Sequence, residues 1–254
     1  MSYLGYTSAL SRYLRTIDHP RVLEIGVDKG QTAIPLIHNL GSEHENFKWV
    51  GIDVRHDGGF HEQLVQMFGT KQLSHDKMDL SDPDWNCCYL TCNSLDILPQ
   101  LAQAPLMFDL IMVDGDHNYS TVVKELEFIE KLSFDSTLVI VDDYNGRWAK
   151  EDLFYKERES HSDIEDLKRP ASIPGKAGVK LAVDDWLSTS KGWRLHDYEH
   201  DCVLLCKDSM EIRISAERLA KDAELSFKSS GNTFRFKPQV SEVLKSGKEV
   251  SSLK

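Results

Sequence analysis

Five short runs, each apolar almost throughout, alternate with helical patterns between Arg21 and Asp143. They read RVLEIGV from Arg21, FKWVGIDV from Phe47, CCYLTC from Cys87, FDLIMVD from Phe108 and TLVIVDD from Thr137. Strands buried on both faces lose the alternation of polar and apolar residues, and parallel pairing needs a crossover between them, usually a helix. The pattern therefore predicts an α/β fold with a parallel sheet covered on both sides. Helices are expected from about Thr7 to Ile17, Gln31 to Leu40, His61 to Phe68, Ser94 to Leu101 and Tyr119 to Leu132. The last puts Val122, Val123, Leu126, Ile129 and Leu132 on one face. Pro35 falls early enough in its helix for the missing N–H to cost little.

The rhythm breaks after Asp143. From Tyr144 to Gly178 the chain is polar, charged and without a firm period. Long patternless loops in compact domains are functional or disordered, and Trp148, Phe154 and Tyr155 could cover an acceptor or pack under the loop. Helical periodicity returns at VKLAVDDWLSTS. Two β-runs follow, WRLHDYE and CVLLCK, separated only by His200 and Asp201, a spacing that suits an antiparallel hairpin. The count is then seven strands. From Ser209 the pattern degrades: EIRISAERLAKDAEL suits a helix or a strand with a helix, KSSGNTFRFKPQVSEVLKSGKEVSSLK reads as a polar, basic tail, and the expected organisation is one domain over 1–208 and an extension or tail over 209–254.

Composition narrows the partners. A formal net charge of -11 repels phosphate backbones and anionic lipid, which argues against nucleic acid and membranes. No apolar run approaches the ~20 residues of a membrane helix, and MSYLGYTSAL has no secretory pattern. The five cysteines, Cys87, Cys88, Cys92, Cys202 and Cys206, lie in apolar runs and form no CxxC pair. They read as buried thiols of a reducing, cytoplasmic setting. Self-association into a homo-oligomer is left open.

Polar residues gather where the strands stop, and ligands of open α/β sheets bind at the carboxyl ends of strands. LEIGVDKG carries Glu24, then Gly26 and Gly30 at a strand-to-helix turn, where glycine lets backbone approach a ligand. A plain turn uses glycine in the same way. Asp53 ends the second run, suited to a ribose diol but equally ordinary as a solvated strand end. Asn93 and Ser94 follow the third run, placed to face an adenine edge. The spacing is not the GxGxxG of dinucleotide folds.

In this order, LEIGVDKG, GIDV, CNS, FDLIMVDGDH and TLVIVDDY resemble the class I S-adenosylmethionine-dependent methyltransferases. The VDGDHNY and VIVDDY endings look like the magnesium-dependent branch of macrocin-type sugar O-methyltransferases and, more distantly, catechol O-methyltransferase. The resemblance spans roughly Thr7 to Asp208. It implies a Rossmann-like doubly wound seven-stranded sheet with strands one and four at its centre and an antiparallel terminal strand. It also implies a cofactor set of Glu24, Gly26, Gly30, Asp53, Asn93, Ser94 and Asp114.

In such a sheet Asp114 ends strand four, and Asp142 and Asp143 end its neighbour. Adjacent strands lie ~4.8 Å apart, so the three carboxylates can converge, and they repel one another unless a cation neutralises them. Oxygen ligands suit Mg²⁺, with Ca²⁺ or Mn²⁺ as alternatives. Turn and cap chemistry explains Asp116 sufficiently, and Arg147 and Lys150 are the rival neutralisers of the trio. His117 occupies the position of the lysine base in the catechol-type enzyme and serves as the expected proton acceptor beside the metal; an inert histidine near a helix start is the other reading. His196 and His200 read as structural or solvated.

The expected activity is transfer of a methyl group from S-adenosylmethionine to a hydroxyl of a small molecule, a sugar or a phenol, assisted by Mg²⁺. A metal-independent N-methyltransferase, a non-catalytic S-adenosylmethionine-binding module and an NAD-dependent oxidoreductase remain as competitors.

Overall fold

The computed structural model describes residues 10–42, 44–69, 73–75, 85–104, 106–154, 169–199 and 201–208. The expectations for Tyr155, His200, the start of the first helix and the 209–254 extension lie outside these residues; residues 10–14 are helical.

Eight strands form one sheet: β1 (Arg21–Ile25), β2 (Lys48–Asp53), β3 (Leu73–His75), β4 (Cys87–Thr91), β5 (Phe108–Val113), β6 (Ser133–Val141), β7 (Trp193–Glu199) and β8 (Cys202–Lys207). Their order is β3-β4-β2-β1-β5-β6-β8-β7. The six strands from β3 to β6 pair in parallel, whereas β8 runs antiparallel to both β6 and β7. All seven expected strands form in the Rossmann-like order, with β1 beside β5 at the centre. The three-residue β3 adds an edge that the sequence did not announce.

β6 starts at Ser133, four residues before the expected Thr137, because exposed Asp135 and Ser136 break the apolar run without breaking the strand. The pairing with β5 shifts register there, between Phe108 and Leu110.

Helices α1 (Ala33–Gly41), α2 (Gly58–Phe68), α3 (Ser94–Leu101), α4 (Tyr119–Ile129) and α5 (Val179–Thr189) supply the covering layers. Strand side chains alternate between faces. Leu23, Ile25, Val50, Ile52, Ile111, Val113, Val139 and Val141 pack with the apolar faces of α3, α4 and α5. Glu24 and Trp49 point to the other face, where Trp49 meets Phe60 of α2 edge-on at 5.9 Å and Phe60 meets Tyr89 at 5.1 Å. Gly51 makes this possible: a Cβ there would lie 2.0 Å from the Trp49 ring. Among the described residues, no helix is long and apolar enough to cross a membrane.

Candidate active site

β1, β2, β4, β5 and β6 all hand over to loops on one edge of the sheet, and the candidate side chains stand along that edge. Gly26 has φ +85° and Gly30 φ +71°. Gly26 is required for a reason other than the approach of a ligand. A Cβ at Gly26 would sit 2.1 Å from the carbonyl oxygen of Asp114, so the close approach is between the β1 and β5 loops. At Gly30 the obstacle is the Phe60 ring, also at 2.1 Å.

Asp53 ties the same loop down. Its Oδ2 accepts from the backbone N–H of Val27 at 2.9 Å and of Asp28 at 2.8 Å, and its Oδ1 accepts from Arg55 N–H at 2.8 Å. Asp28, itself at φ 47°, pairs with the Arg55 guanidinium at 2.7 Å. An ionised carboxylate has about four acceptor positions, so three backbone bonds still leave one direction for a hydroxyl.

Glu24 is buried beneath this loop, where Trp49 Nε1–H donates to its Oε2 at 3.1 Å. Burial, only partly offset by that bond, pushes its carboxyl up to about 8, with the negative charges of Asp114 and Asp53 adding to the rise. Glu24 is thus a neutral, buried acid near neutrality, bonded to the protein interior.

Asn93 caps α3, its side chain accepting from Leu95 N–H at 2.9 Å. Ser94 departs from the expectation of an adenine contact: its hydroxyl donates to Glu125 Oε1 of α4 at 2.6 Å and is buried. A helix N-terminus turns its first side chains back along the axis, which here brings Ser94 onto the neighbouring helix.

The acidic residues beyond β5 and β6 do converge. Asp114 N–H donates to Ile25 O at 2.7 Å and Asp142 N–H to Val113 O at 2.9 Å, so the parallel ladder continues one step and holds both residues in register. Asp114, His117 and Asp142 each offer one ligand atom, all within 4.8 Å of one another. Asp143, at φ 55°, stands beside this set. Its Oδ2 lies 3.4 Å from His117 Nε2, and Asp114 Oδ1 lies 3.4 Å from the same nitrogen. The structure inserts His117 between the carboxylates, where the expectation was a base close by the three acids but not among them.

The electrostatics follow from that arrangement. Desolvation raises the Asp114 carboxyl to about 7 against the favourable bond to His117. Asp143 is raised for the same first reason. Burial alone would lower His117, but the hydrogen bond and charge of Asp114, with the charges of Asp143 and Asp142, overcome it and raise the imidazole above its ordinary value. The imidazole stands between the carboxylates, 3.4 Å from an oxygen of Asp114 and of Asp143. Arg147 does not supply that charge: its guanidinium lies over the Trp148 ring at 4.8 Å, and only its backbone N–H reaches Asp143 Oδ1, at 3.1 Å.

Asp116 faces elsewhere. Arg169 grips it in a bidentate pair at 2.8 and 3.0 Å, and Thr121 and Asn118 also donate to it. Arg169 and Asp152 are contributions the sequence argument missed, both from the segment after β6. Asp152 Oδ1 accepts from Tyr119 N–H at 2.8 Å and Gly178 N–H at 2.9 Å, meeting the N-terminal ends of α4 and α5 together. A carboxylate is favoured at either end by the helix dipole. Neither residue carried a spacing signal, since both lie in a stretch without a period.

The family model Methyltransf_24, described as a methyltransferase domain, matches residues 23–144. The match takes in every candidate residue from Glu24 to Asp143. No curated protein matches the chain. Among solved structures, the O-methyltransferase TomG from Streptomyces achromogenes, in complex with SAM, is 19% identical with a TM-score of 0.48 over 79% of this chain and 78% of its own. A TDP-rhamnose 3'-O-methyltransferase of calicheamicin biosynthesis is 16% identical, TM-score 0.49, covering 79% of this chain and 76% of that one. MycE methyltransferase, in complex with Mg, SAH and mycinamycin VI, is 16% identical, TM-score 0.47, over 80% of this chain but only 49% of MycE.

Proposed function

We propose that this chain transfers a methyl group from S-adenosylmethionine to a hydroxyl of a small molecule, a sugar or a phenol, with a divalent cation, Mg²⁺ first among them, at the acidic cluster. The observation that carries the reading is the convergence of Asp114, His117 and Asp142 within 4.8 Å at the ends of adjacent central strands, with Asp143 against His117. The donor set fits a hard cation: clustered carboxylates repel, and in this structure a single imidazole stands between them.

The cofactor would lie across the ends of β1, β2 and β4, over Gly26 and Gly30, with Asp53 toward its ribose and Asn93 toward its base. Asp114 would lend negative charge toward its cationic amino group and sulfonium, and Glu24, a neutral acid, would lie beneath the loop that carries it. Asp114, Asp142 and Asp143 would hold the cation, which supplies charge to lower the acceptor hydroxyl's pKa. His117 takes the proton, and the carboxylates on either side of its Nε2 stabilise the imidazolium that results. Positioning accounts for most of the acceleration, since the methyl group moves in line between two held partners. The domain over 1–208 is the catalytic unit, and 209–254 is an extension to it.

The test is Asp142→Ala, assayed by mass spectrometry against hydroxylated metabolites with Mg²⁺ or with EDTA. Transfer should vanish while S-adenosylmethionine affinity, measured by calorimetry, stays near that of the parent. Full transfer by the variant in excess EDTA overturns the cation reading and favours a metal-independent enzyme.

A further inference from the structure

The geometry points to Cys202 as a positioning residue for Asp142, fixing the carboxylate in the attitude a divalent cation at the Asp114–Asp142 pair requires; the inference rests on the cation reading above. β8 runs antiparallel to β6 with Val203 opposite Val141. One step further along that register lie Cys202, the first residue of β8, and Asp142, the first residue past β6. The Cys202 thiol donates to Asp142 Oδ1 at 3.1 Å, and both residues are buried.

Thiols are weak donors, but a charged acceptor in a buried setting strengthens the bond. Holding Oδ1 fixes the plane of the carboxylate, and with it the direction of the oxygen that meets Asp114 and His117. The partner comes from a different strand than the ligands, so the attitude of Asp142 is set by the sheet and not by its own turn. Cys206 provides the contrast. It is buried toward the other end of the same strand and pairs in register with Leu138, away from the end of β6 that carries Asp142.

Ligand-orienting partners of this kind are worth ~10–100-fold in metal affinity. The experiment titrates Mn²⁺ into the full chain, reads free Mn²⁺ by electron paramagnetic resonance, and competes it with Mg²⁺. Cys202→Ala should weaken Mn²⁺ binding by at least ~10-fold, Cys202→Ser, which keeps a donor, should stay within about threefold, and Cys206→Ala should match the parent. S-adenosylmethionine affinity by calorimetry should be the same in all three variants. Should Cys202→Ala lose its melting transition, Cys202→Val, which fills the space but cannot donate, takes its place with the same expected loss. Parental Mn²⁺ affinity in a folded Cys202→Ala or Cys202→Val, or an equal loss in Cys206→Ala, overturns the assignment. A parent protein that takes up no Mn²⁺ overturns the cation reading first and this assignment with it.

Discussion

Glu125 is the acid on which the stability of the central helices should turn as pH changes. It sits on α4 with no exposed surface, accepts one hydrogen bond from Ser94 at 2.6 Å, and leaves its Oε2 buried without a partner. Burial first, with the charge of Asp116 adding and the Ser94 bond and His117 opposing, raises its carboxyl from 4.5 to about 8. A carboxyl raised on folding keeps its proton in the native state and loses it in the unfolded one. Its contribution is therefore complete below pH 4.5 and is lost as pH climbs toward 8. Each pH unit inside that window costs about 1.4 kcal/mol, or roughly 4–5 kcal/mol across it. Glu125→Gln supplies the shape of the neutral acid without the proton equilibrium, and its amide oxygen can still accept from Ser94. Urea unfolding of both proteins from pH 5 to 8 gives the difference directly, and subtraction removes the similar slope from Glu24. The two should be nearly equal at pH 5, with the glutamine form ahead by several kcal/mol at pH 8. Parallel stability curves across the whole range would falsify the claim that Glu125 is held protonated.

Three further outcomes follow from single contacts. Gly26→Ala should cost about 3 kcal/mol or more, read as a lowered melting temperature, because its methyl meets the Asp114 backbone and the positive φ is strained. Asp152→Ala removes the acceptor shared by Tyr119 and Gly178 and should lose about 2 kcal/mol in urea unfolding, with Asp152→Asn recovering most of it. Arg169→Met leaves the mostly buried Asp116 carboxylate without its cation and should cost about 3 kcal/mol, whereas the double variant with Asp116→Asn should be less destabilised than the sum of the two single changes.

The strands were legible because burial on both faces writes itself as uninterrupted apolar sequence. The order of the sheet was legible through crossover chemistry and family resemblance together. What sequence could not supply was direction. Asp53 was visible as a strand-end acid, but three backbone N–H groups converging on it depend on how the Gly26–Gly30 loop folds back. Ser94 was visible as a polar residue after a strand, yet one turn of helix carries its hydroxyl to Glu125. Gly26 looked like space for a ligand because a glycine records only that a side chain is unwelcome, not what excludes it. Arg169 reaches Asp116 and Cys202 reaches Asp142 across 53 and 60 residues, and no local period encodes a contact of that kind.

The placement of His117 explains why a cluster of like charges can exist at a folded strand edge at all. Asp114, Asp142 and Asp143 are brought together by the backbone ladder of β1, β5 and β6, which fixes their positions before their charges are considered. Two routes lower the resulting repulsion: a carboxyl can keep a proton, or a cation can enter. The structure uses both, with Asp114 raised to about 7 and His117 raised between its neighbours. Burial and neighbouring charge raise Asp114 and Asp143, and the carboxylates in turn raise His117, so the demand for positive charge is shared across the cluster. On the proposed reading, a divalent cation would take over that neutralisation and leave the imidazole free to accept a hydroxyl's proton. The sheet thus sets, through one backbone ladder, the approach of the three carboxylates and the place of the imidazole between them.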